Sequence, residues 1–168
     1  EDGLLILTND GTLAAAIRRN AETLPVEYRA RVLRPRDDER WPEIPLEVDV
    51  DGEPVQFTTV ERIDGAGTNV WFKVASDQPL QRGALRALFD GVGLKLSRVM
   101  LVQWGPVSLP RDLPRGRSRE LAGAALDDLL ALAGRSPGGE GPERKARGRK
   151  PSRARSPGRP TGRRSGGR

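Results

Sequence analysis

Apolar runs alternate with turn-forming residues along the start of the chain. Residues 4 to 8 form a continuous apolar run that is closed by Asn9-Asp10-Gly11, which predicts a strand buried on both faces and ended by a tight turn. A helix follows in this interpretation, with Thr12 as its cap. Residues 26 to 33 alternate apolar and charged side chains, which is the period of a half-buried strand and directs Tyr28 inward.

The remaining pattern adds antiparallel strands and two helices. Residues 34 to 44 are charged and Pro-containing, which indicates a connection. The further predicted elements are a hairpin of Leu46–Val50 and Val55–Val60 around Asp51-Gly52, a strand at Asn69–Val74, a helix at Leu80–Val92, a strand at Leu94–Trp104 and a helix at Leu121–Leu132. Together they predict an α+β fold over residues 1 to 134, with a mixed, largely antiparallel sheet and flanking helices.

Residues 135 to 168 have a different composition from the rest. They contain 12 basic residues, eight Gly and five Pro, but only two acidic residues, which gives this stretch a net charge of +10. Residues 1 to 134 contain 17 basic and 21 acidic residues, a net charge of −4. With almost no apolar side chains, the stretch is predicted to be a disordered basic tail that binds the phosphate backbone of RNA. The alternative is a tail that serves solubility alone.

Composition excludes several chemistries. The chain has no Cys and no His, so disulfides, thiol nucleophiles, imidazole bases and His or Cys metal sites are all ruled out. Any catalysis must therefore depend on carboxylates, Tyr, Arg or Lys. No apolar stretch approaches the roughly 20 residues that span a bilayer. A cytoplasmic location is the expectation.

Several ordered motifs resemble one family, the bacterial ribosomal-RNA pseudouridine synthases that include the small-subunit synthase A and the large-subunit synthases B, E and F. The resemblance covers about residues 2 to 121, is greatest toward the large-subunit synthase B group, and indicates a fragment without its N-terminal part. The motifs are Gly3-Leu-Leu-Ile-Leu-Thr-Asn-Asp-Gly11, Glu27-Tyr-Arg-Ala-Arg-Val32, Leu88-Phe-Asp-Gly-Val-Gly93, Leu96-Ser-Arg-Val99 and Gly105-Pro-Val-Ser-Leu-Pro-Arg-Asp-Leu-Pro-Arg-Gly116. The chain departs from the family pattern at Pro79–Ala84.

The resemblance implies a pseudouridine synthase fold and a cofactor-free isomerase that converts uridine to pseudouridine in ribosomal RNA, of the large subunit rather than the small. It places the nucleophilic aspartate three positions before Glu1, outside this sequence. Within the sequence it assigns base stacking to Tyr28, pairing with the aspartate to Arg86, and apolar packing at the site to Leu85. Without the resemblance, Tyr28 is interpreted as a core aromatic and Arg86 as part of a solvated helix face.

Other polar residues carry weaker hypotheses. Asp10 follows the first apolar run, but Asn-Asp-Gly is typical of turns, so Asp10 is interpreted as a turn residue. The candidate RNA-binding residues lie in a loop and in the tail: Arg111, Arg115, Arg117, Arg119, Arg144, Lys145, Arg147, Arg149 and Lys150. The expected partner is ribosomal RNA, without a membrane or a metal, and the expected state is a monomer. The competing hypotheses are a catalytically inactive RNA-binding or ribosome-assembly factor with the same fold, and a protein-interaction domain tethered by the tail.

Overall fold

A computed structural model describes residues 2–33, 41–65, 69–81 and 83–135. The elements in chain order are β1 (Asp2–Gly3), α1 (Gly11–Asn20), β2 (Val26–Leu33), β3 (Glu47–Val50), β4 (Glu53–Gln56), β5 (Thr59–Asp64), β6 (Asn69–Ser76), α2 (Ala84–Asp90), β7 (Lys95–Trp104), β8 (Val107–Ser108) and α3 (Ala124–Leu132). The predicted disordered tail, apart from Arg135, lies outside the described residues, as does most of the predicted connection at residues 34 to 44.

The main sheet has six strands in the order β1-β7-β2-β6-β5, with β8 paired to β7. All its pairings are antiparallel except that of β1 with β7, which is parallel. The prediction of an α+β fold with a mixed, largely antiparallel sheet is confirmed. Strand β2 lies at the centre, because its eight residues pair with β6 on one side and with β7 on the other.

The core forms on one face of this sheet. Alternate residues of β2 and β6 point to that face and are fully buried, as Ala30, Val70 and Val74 show. Helix α2 covers them with Leu88 and Phe89, and the Phe89 ring lies 5.3 Å from that of Phe72 on β6. Burial of this apolar surface is the main stabilising contribution to the described fold.

Asp51 and Gly52 form the predicted hairpin turn between β3 and β4. Both have positive φ, 56° and 86°, as the tight turn of a two-residue hairpin requires. The second predicted strand of this hairpin, Val55–Val60, is divided in the structure. Its first part belongs to β4, and its last part belongs to β5 in the main sheet, because the chain changes sheets near Phe57.

Three other predictions need correction. Residues 4 to 8 are not a buried strand: β1 ends at Gly3, and Leu5 and Leu7 are 76% and 78% exposed, because β1 lies at the edge of the sheet. Helix α2 begins at Ala84 rather than Leu80, since Gly83 adopts a left-handed conformation. Helix α3 begins at Ala124 rather than Leu121.

Candidate active site

A cavity of about 610 Å³ opens between α2 and one edge of the main sheet. Three structural elements and the segment before α2 contribute to its wall. Its lining residues are Tyr28, Leu80, Gln81, Gly83, Leu85, Arg86, Leu96, Ser97, Arg98 and Val99. The cavity therefore contains Tyr28, Leu85 and Arg86, which the family resemblance assigns to one site although they are far apart in the sequence.

Strand β2 positions Tyr28. It lies opposite Val74 of β6 and Leu101 of β7, and it shares the core side of the strand with Ala30. Its side chain is half-buried and packs against the core cluster while it also lines the cavity. The prediction that the alternating pattern directs Tyr28 inward is confirmed. An aromatic ring at a cavity wall can stack on a planar base.

Helix α2 positions Leu85 and Arg86 next to each other on the cavity side. Leu85 is 7% exposed and belongs to the core cluster, whereas Arg86 is exposed. Helical spacing explains the difference, because adjacent residues point about 100° apart around the axis. The cavity thus has an apolar wall beside a cation in contact with solvent.

The open edge of β7 forms the third side of the cavity. Strand β1 pairs with β7 only at Met100 and Leu101, and Leu96–Val99 extend beyond it to line the cavity. Because the pairing is parallel, β1 runs in the same direction as β7, and the cavity-lining residues Leu96–Val99 precede the paired residues on β7. The start of the described chain is therefore directed along the cavity wall.

Asp2 is bound by two arginines at this edge. Its Oδ2 accepts a hydrogen bond from Nη2 of Arg98 at 2.7 Å and another from Nη2 of Arg115. Arg98 comes from β7, and Arg115 comes from the loop that follows β8. The ion pairs hold that loop against the beginning of β1, beside the cavity.

Arg98 lines the cavity and belongs to the motif Leu96-Ser-Arg-Val99, none of whose residues has a role assigned from the sequence. Besides binding Asp2, its guanidinium lies over the Trp71 ring, 6.0 Å from the centroid. Adjacent Ser97 accepts a hydrogen bond from Nε of Arg31 at 3.1 Å and donates one to the Arg31 carbonyl at 2.9 Å. The strand pattern of the sequence contains a signal for Arg98, because a cation in the middle of a ten-residue strand needs a partner.

The candidate RNA-binding arginines of the loop are all exposed, and they differ in their contacts. Arg115 binds Asp2, and Arg119 binds Asp112 with both terminal nitrogens, at 3.3 and 2.7 Å. Arg119 lowers the pKa of the Asp112 carboxyl below its usual value. Arg111 and Arg117 form no ion pair with a described carboxylate. The candidate residues in the tail, from Arg144 to Lys150, lie outside the described residues.

Asp10 has a structural task at the start of α1. Its side chain accepts hydrogen bonds from the backbone N–H groups of Thr12 and Leu13, and its other oxygen accepts one from Arg135. Asp10 is therefore the helix cap, and the expectation that Thr12 serves as the cap is wrong. The Leu13 N–H and the Arg135 guanidinium lower the pKa of the Asp10 carboxyl.

The described residues contain no group of three or more Asp or Glu side chains arranged to hold a metal ion. None of the helices in the described ranges has the length and apolar character needed to cross a membrane.

Comparison with known proteins identifies relatives over most of the chain, although no family model matches it. The ribosomal large subunit pseudouridine synthase B of Xanthomonas campestris pv. campestris is 37% identical over 134 residues, which are 77% of this chain and 27% of the relative. The synthases of the same name from Yersinia pestis and Escherichia coli (strain K12) are 34% and 33% identical over 130 residues, again 77% of this chain and 41% and 44% of the relatives. The chain thus spans less than half the length of these relatives.

Among solved structures, an H/ACA RNP bound to a substrate RNA containing 2'-deoxyuridine aligns with 58% of this chain and 33% of that chain, with a TM-score of 0.45 and 19% identity. Each of these sequence relatives matches 77% of this chain, and they share one name. Over most of its length, the chain is therefore similar to the bacterial ribosomal large subunit pseudouridine synthases B.

Proposed function

We propose that this chain supplies the cavity, the base-stacking tyrosine and the pairing cation of an enzyme that isomerises uridine to pseudouridine in large-subunit ribosomal RNA. The observation that carries the proposal is the convergence of Tyr28, Leu85 and Arg86 on one cavity. The names of the matched relatives support both the reaction and the large-subunit substrate. The proposed location is the cytoplasm, and the proposed state is a monomer.

In the proposed reaction, an aspartate carboxylate acts at C1' of the target uridine and the bond from C1' to N1 breaks. The detached base turns, C5 bonds to C1', the C5 proton leaves and N1 gains a proton. No atom is lost, so no oxidant, reductant or cofactor is needed. The target nucleotide must leave the RNA stack to reach the cavity, which costs a few kcal/mol of unstacking.

Each of the three residues has a distinct part. Tyr28 stacks on the detached base and limits its escape. Arg86 pairs with the carboxylate, which favours the ionised form because an opposite charge nearby lowers a carboxyl pKa. Leu85 presents an apolar surface that keeps water from the reacting atoms. The carboxylate itself is proposed to come from residues before Glu1, and the parallel pairing of β1 with β7 next to the cavity-lining residues Leu96–Val99 supports this entry.

The test compares this chain with an extended protein that carries an Arg-Leu-Asp motif before Glu1 at the spacing of the family. Both are incubated with unmodified large-subunit ribosomal RNA, and pseudouridine is mapped chemically. We expect modification by the extended protein alone. Appreciable modification by the chain as given would mean that another carboxylate serves and would refute the assignment.

In the extended protein, Arg86→Met should lower kcat by at least about a hundredfold, because a preorganised charge at the reacting centre is lost. RNA affinity should remain nearly unchanged, as measured by filter binding. The matched control is Arg19→Met, an exposed arginine in the last turn of α1. Equal loss in both variants would contradict the role of Arg86.

The alternative of an inactive RNA-binding factor rests on the altered segment Pro79–Ala84 before and at the start of α2. An extended protein that binds ribosomal RNA but forms no pseudouridine would favour this alternative. Binding and turnover must therefore be measured on the same preparation.

A further inference from the structure

The face of the main sheet opposite the core carries adjacent arginines. Arg29 and Arg31 alternate with the buried residues of β2 and so point away from the core, about 6.6 Å apart along the strand. Arg31 lies directly opposite Arg98 of β7 and, on its other side, opposite Trp71 of β6. We call Arg29, Arg31 and Arg98 the basic strip.

The charges of the basic strip are only partly neutralised. Arg98 binds Asp2, whereas neither Arg29 nor Arg31 forms an ion pair with a described carboxylate. Like charges placed opposite each other in a sheet are destabilising. Cations clustered on one face in this way are the electrostatic pattern of a surface that binds a phosphate backbone.

Trp71 adds an aromatic surface to the basic strip. It lies on the same face, half-buried, with the Arg98 guanidinium over its ring. Aromatic rings among cations are the usual platform for single-stranded nucleic acid, in which bases stack and phosphates pair with the cations.

The basic strip is continuous with the cavity. Ser97 and Arg98 line the cavity at the free edge of β7, and Ser97 is hydrogen-bonded to Arg31. Arg115 meets Arg98 at Asp2 and extends the cationic surface toward the loop after β8. An RNA strand that leaves the cavity around the edge of β7 would therefore reach the basic strip directly.

We propose that the basic strip and Trp71 bind the single-stranded RNA segment that flanks the target nucleotide, on the opposite face of the sheet from the cavity. This inference rests on the proposed function for the identity of the ligand. It assigns the sheet face a substrate-binding role beyond the cavity, with phosphates on Arg29 and Arg31 and a base on Trp71.

The first test measures fluorescence anisotropy of a fluorescein-labelled, 12-nucleotide single-stranded RNA titrated with the full chain at several salt concentrations. The double variant Arg29→Gln with Arg31→Gln should weaken binding by about tenfold at 0.1 M salt. The slope of the logarithm of the binding constant against the logarithm of the salt concentration should become shallower by about 1.4, as expected for two lost phosphate contacts. Arg18→Gln with Arg19→Gln is the matched control, because it removes two exposed arginines of α1. Equal weakening in both double variants would overturn the proposal.

A charge-preserving variant separates binding from folding. Arg29→Lys with Arg31→Lys should retain most of the affinity, and thermal unfolding should show that all variants fold. Photo-crosslinking of unmodified chain to the same RNA with 4-thiouridine tests the site without any substitution. Adducts are expected on peptides that contain Trp71 or residues 29 to 31, and adducts confined to other surfaces would overturn the proposal.

These measurements do not depend on turnover. Normal RNA binding by the Arg29 and Arg31 double variant would refute the basic strip and leave the proposed isomerase intact. Loss of RNA binding in that variant, together with an extended protein that forms no pseudouridine, would support the basic strip and refute the isomerase.

Discussion

At the scale of single residues, Asp10 shows how one carboxylate can serve the fold rather than the reaction. Asp10 follows an apolar run, and the Asn-Asp-Gly sequence around it favours a turn residue. The hydrogen bonds to the α1 N-terminus and the pair with Arg135 give this carboxylate a structural role. An anion at a helix N-terminus also interacts favourably with the helix dipole.

This arrangement predicts a pH dependence. Because the folded state lowers the pKa of Asp10 below its usual value of about 3.8, its contribution to stability is present above that value and is lost as pH falls through the lower, folded-state pKa. Asp10→Ala should therefore lower the thermal midpoint at pH 7, and the difference from the unsubstituted chain should shrink as the pH falls below about 3.8. Calorimetry at a series of pH values checks this. A difference that stays constant down to pH 2 would contradict the charged cap.

Tyr28 and Arg98 show which features of the site a sequence can predict and which it cannot. The alternation of apolar and charged residues around Tyr28 is enough to predict that its side chain points inward, because successive side chains of a strand point to opposite faces of the sheet. The sequence could not place Arg98, since its contacts are with Asp2 and Trp71, which are distant along the chain and meet only through strand pairing. The assignment of roles to Tyr28, Leu85 and Arg86 came from the family resemblance and stays a prediction.

At the scale of elements, the edge position of β1 explains the main error of the sequence interpretation. An apolar run predicts burial but does not specify which neighbours cover it. In the described residues, the run at residues 4 to 8 has only β7 beside its start, so Leu5 and Leu7 remain exposed. The long strands β2, β6 and β7 were predicted well, because each has neighbours that match its pattern.

A matched pair of leucine variants tests this difference in burial. Leu88 of α2 is 1% exposed and Leu7 is 78% exposed. Leu88→Ala should lower the free energy of unfolding by about 2–5 kcal/mol, because it leaves a cavity in the core. Leu7→Ala should change it by less than about 0.5 kcal/mol. Urea denaturation measures both, and similar losses would mean that residues 4 to 8 are buried as the sequence pattern suggests.

The pairing of β1 with β7 depends on Gly3. Its φ is +126°, and a Cβ there would clash with the Leu101 carbonyl oxygen, so Gly3→Ala cannot keep this register. We expect a loss of at least about 1 kcal/mol in unfolding free energy. The control is Gly11→Ala at the start of α1, where a Cβ meets open space and should be neutral or stabilising. Amide hydrogen exchange at Leu4, which donates to the Leu101 carbonyl, reports whether β1 has detached.

At the scale of the whole molecule, the chain ends of the described part are tied together. Helix α3 meets α1, where the Asn20 side-chain amide donates to the Leu132 carbonyl at 3.0 Å and Arg135 binds Asp10. Composition separated residues 135 to 168 from the rest by charge, and it could not show that Arg135 contacts the folded part. A long-range ion pair depends on the packing of two helices, which no local pattern specifies.

The ion pair between Arg135 and Asp10 allows the contributions of the basic tail to folding and to RNA binding to be tested separately. A chain that ends after Arg135 retains the pair with Asp10, and a chain that ends after Gly134 loses it. Residues 136 to 168 contain 11 basic and two acidic side chains, so both truncations should weaken binding to single-stranded RNA by at least about tenfold at 0.1 M salt and flatten its salt dependence. The thermal midpoint should fall only in the shorter chain. If the chain that ends after Arg135 also loses its cooperative thermal transition, the tail is part of the folded structure. If the RNA affinity of that chain is unchanged, the basic strip and the loop arginines account for RNA binding without the tail.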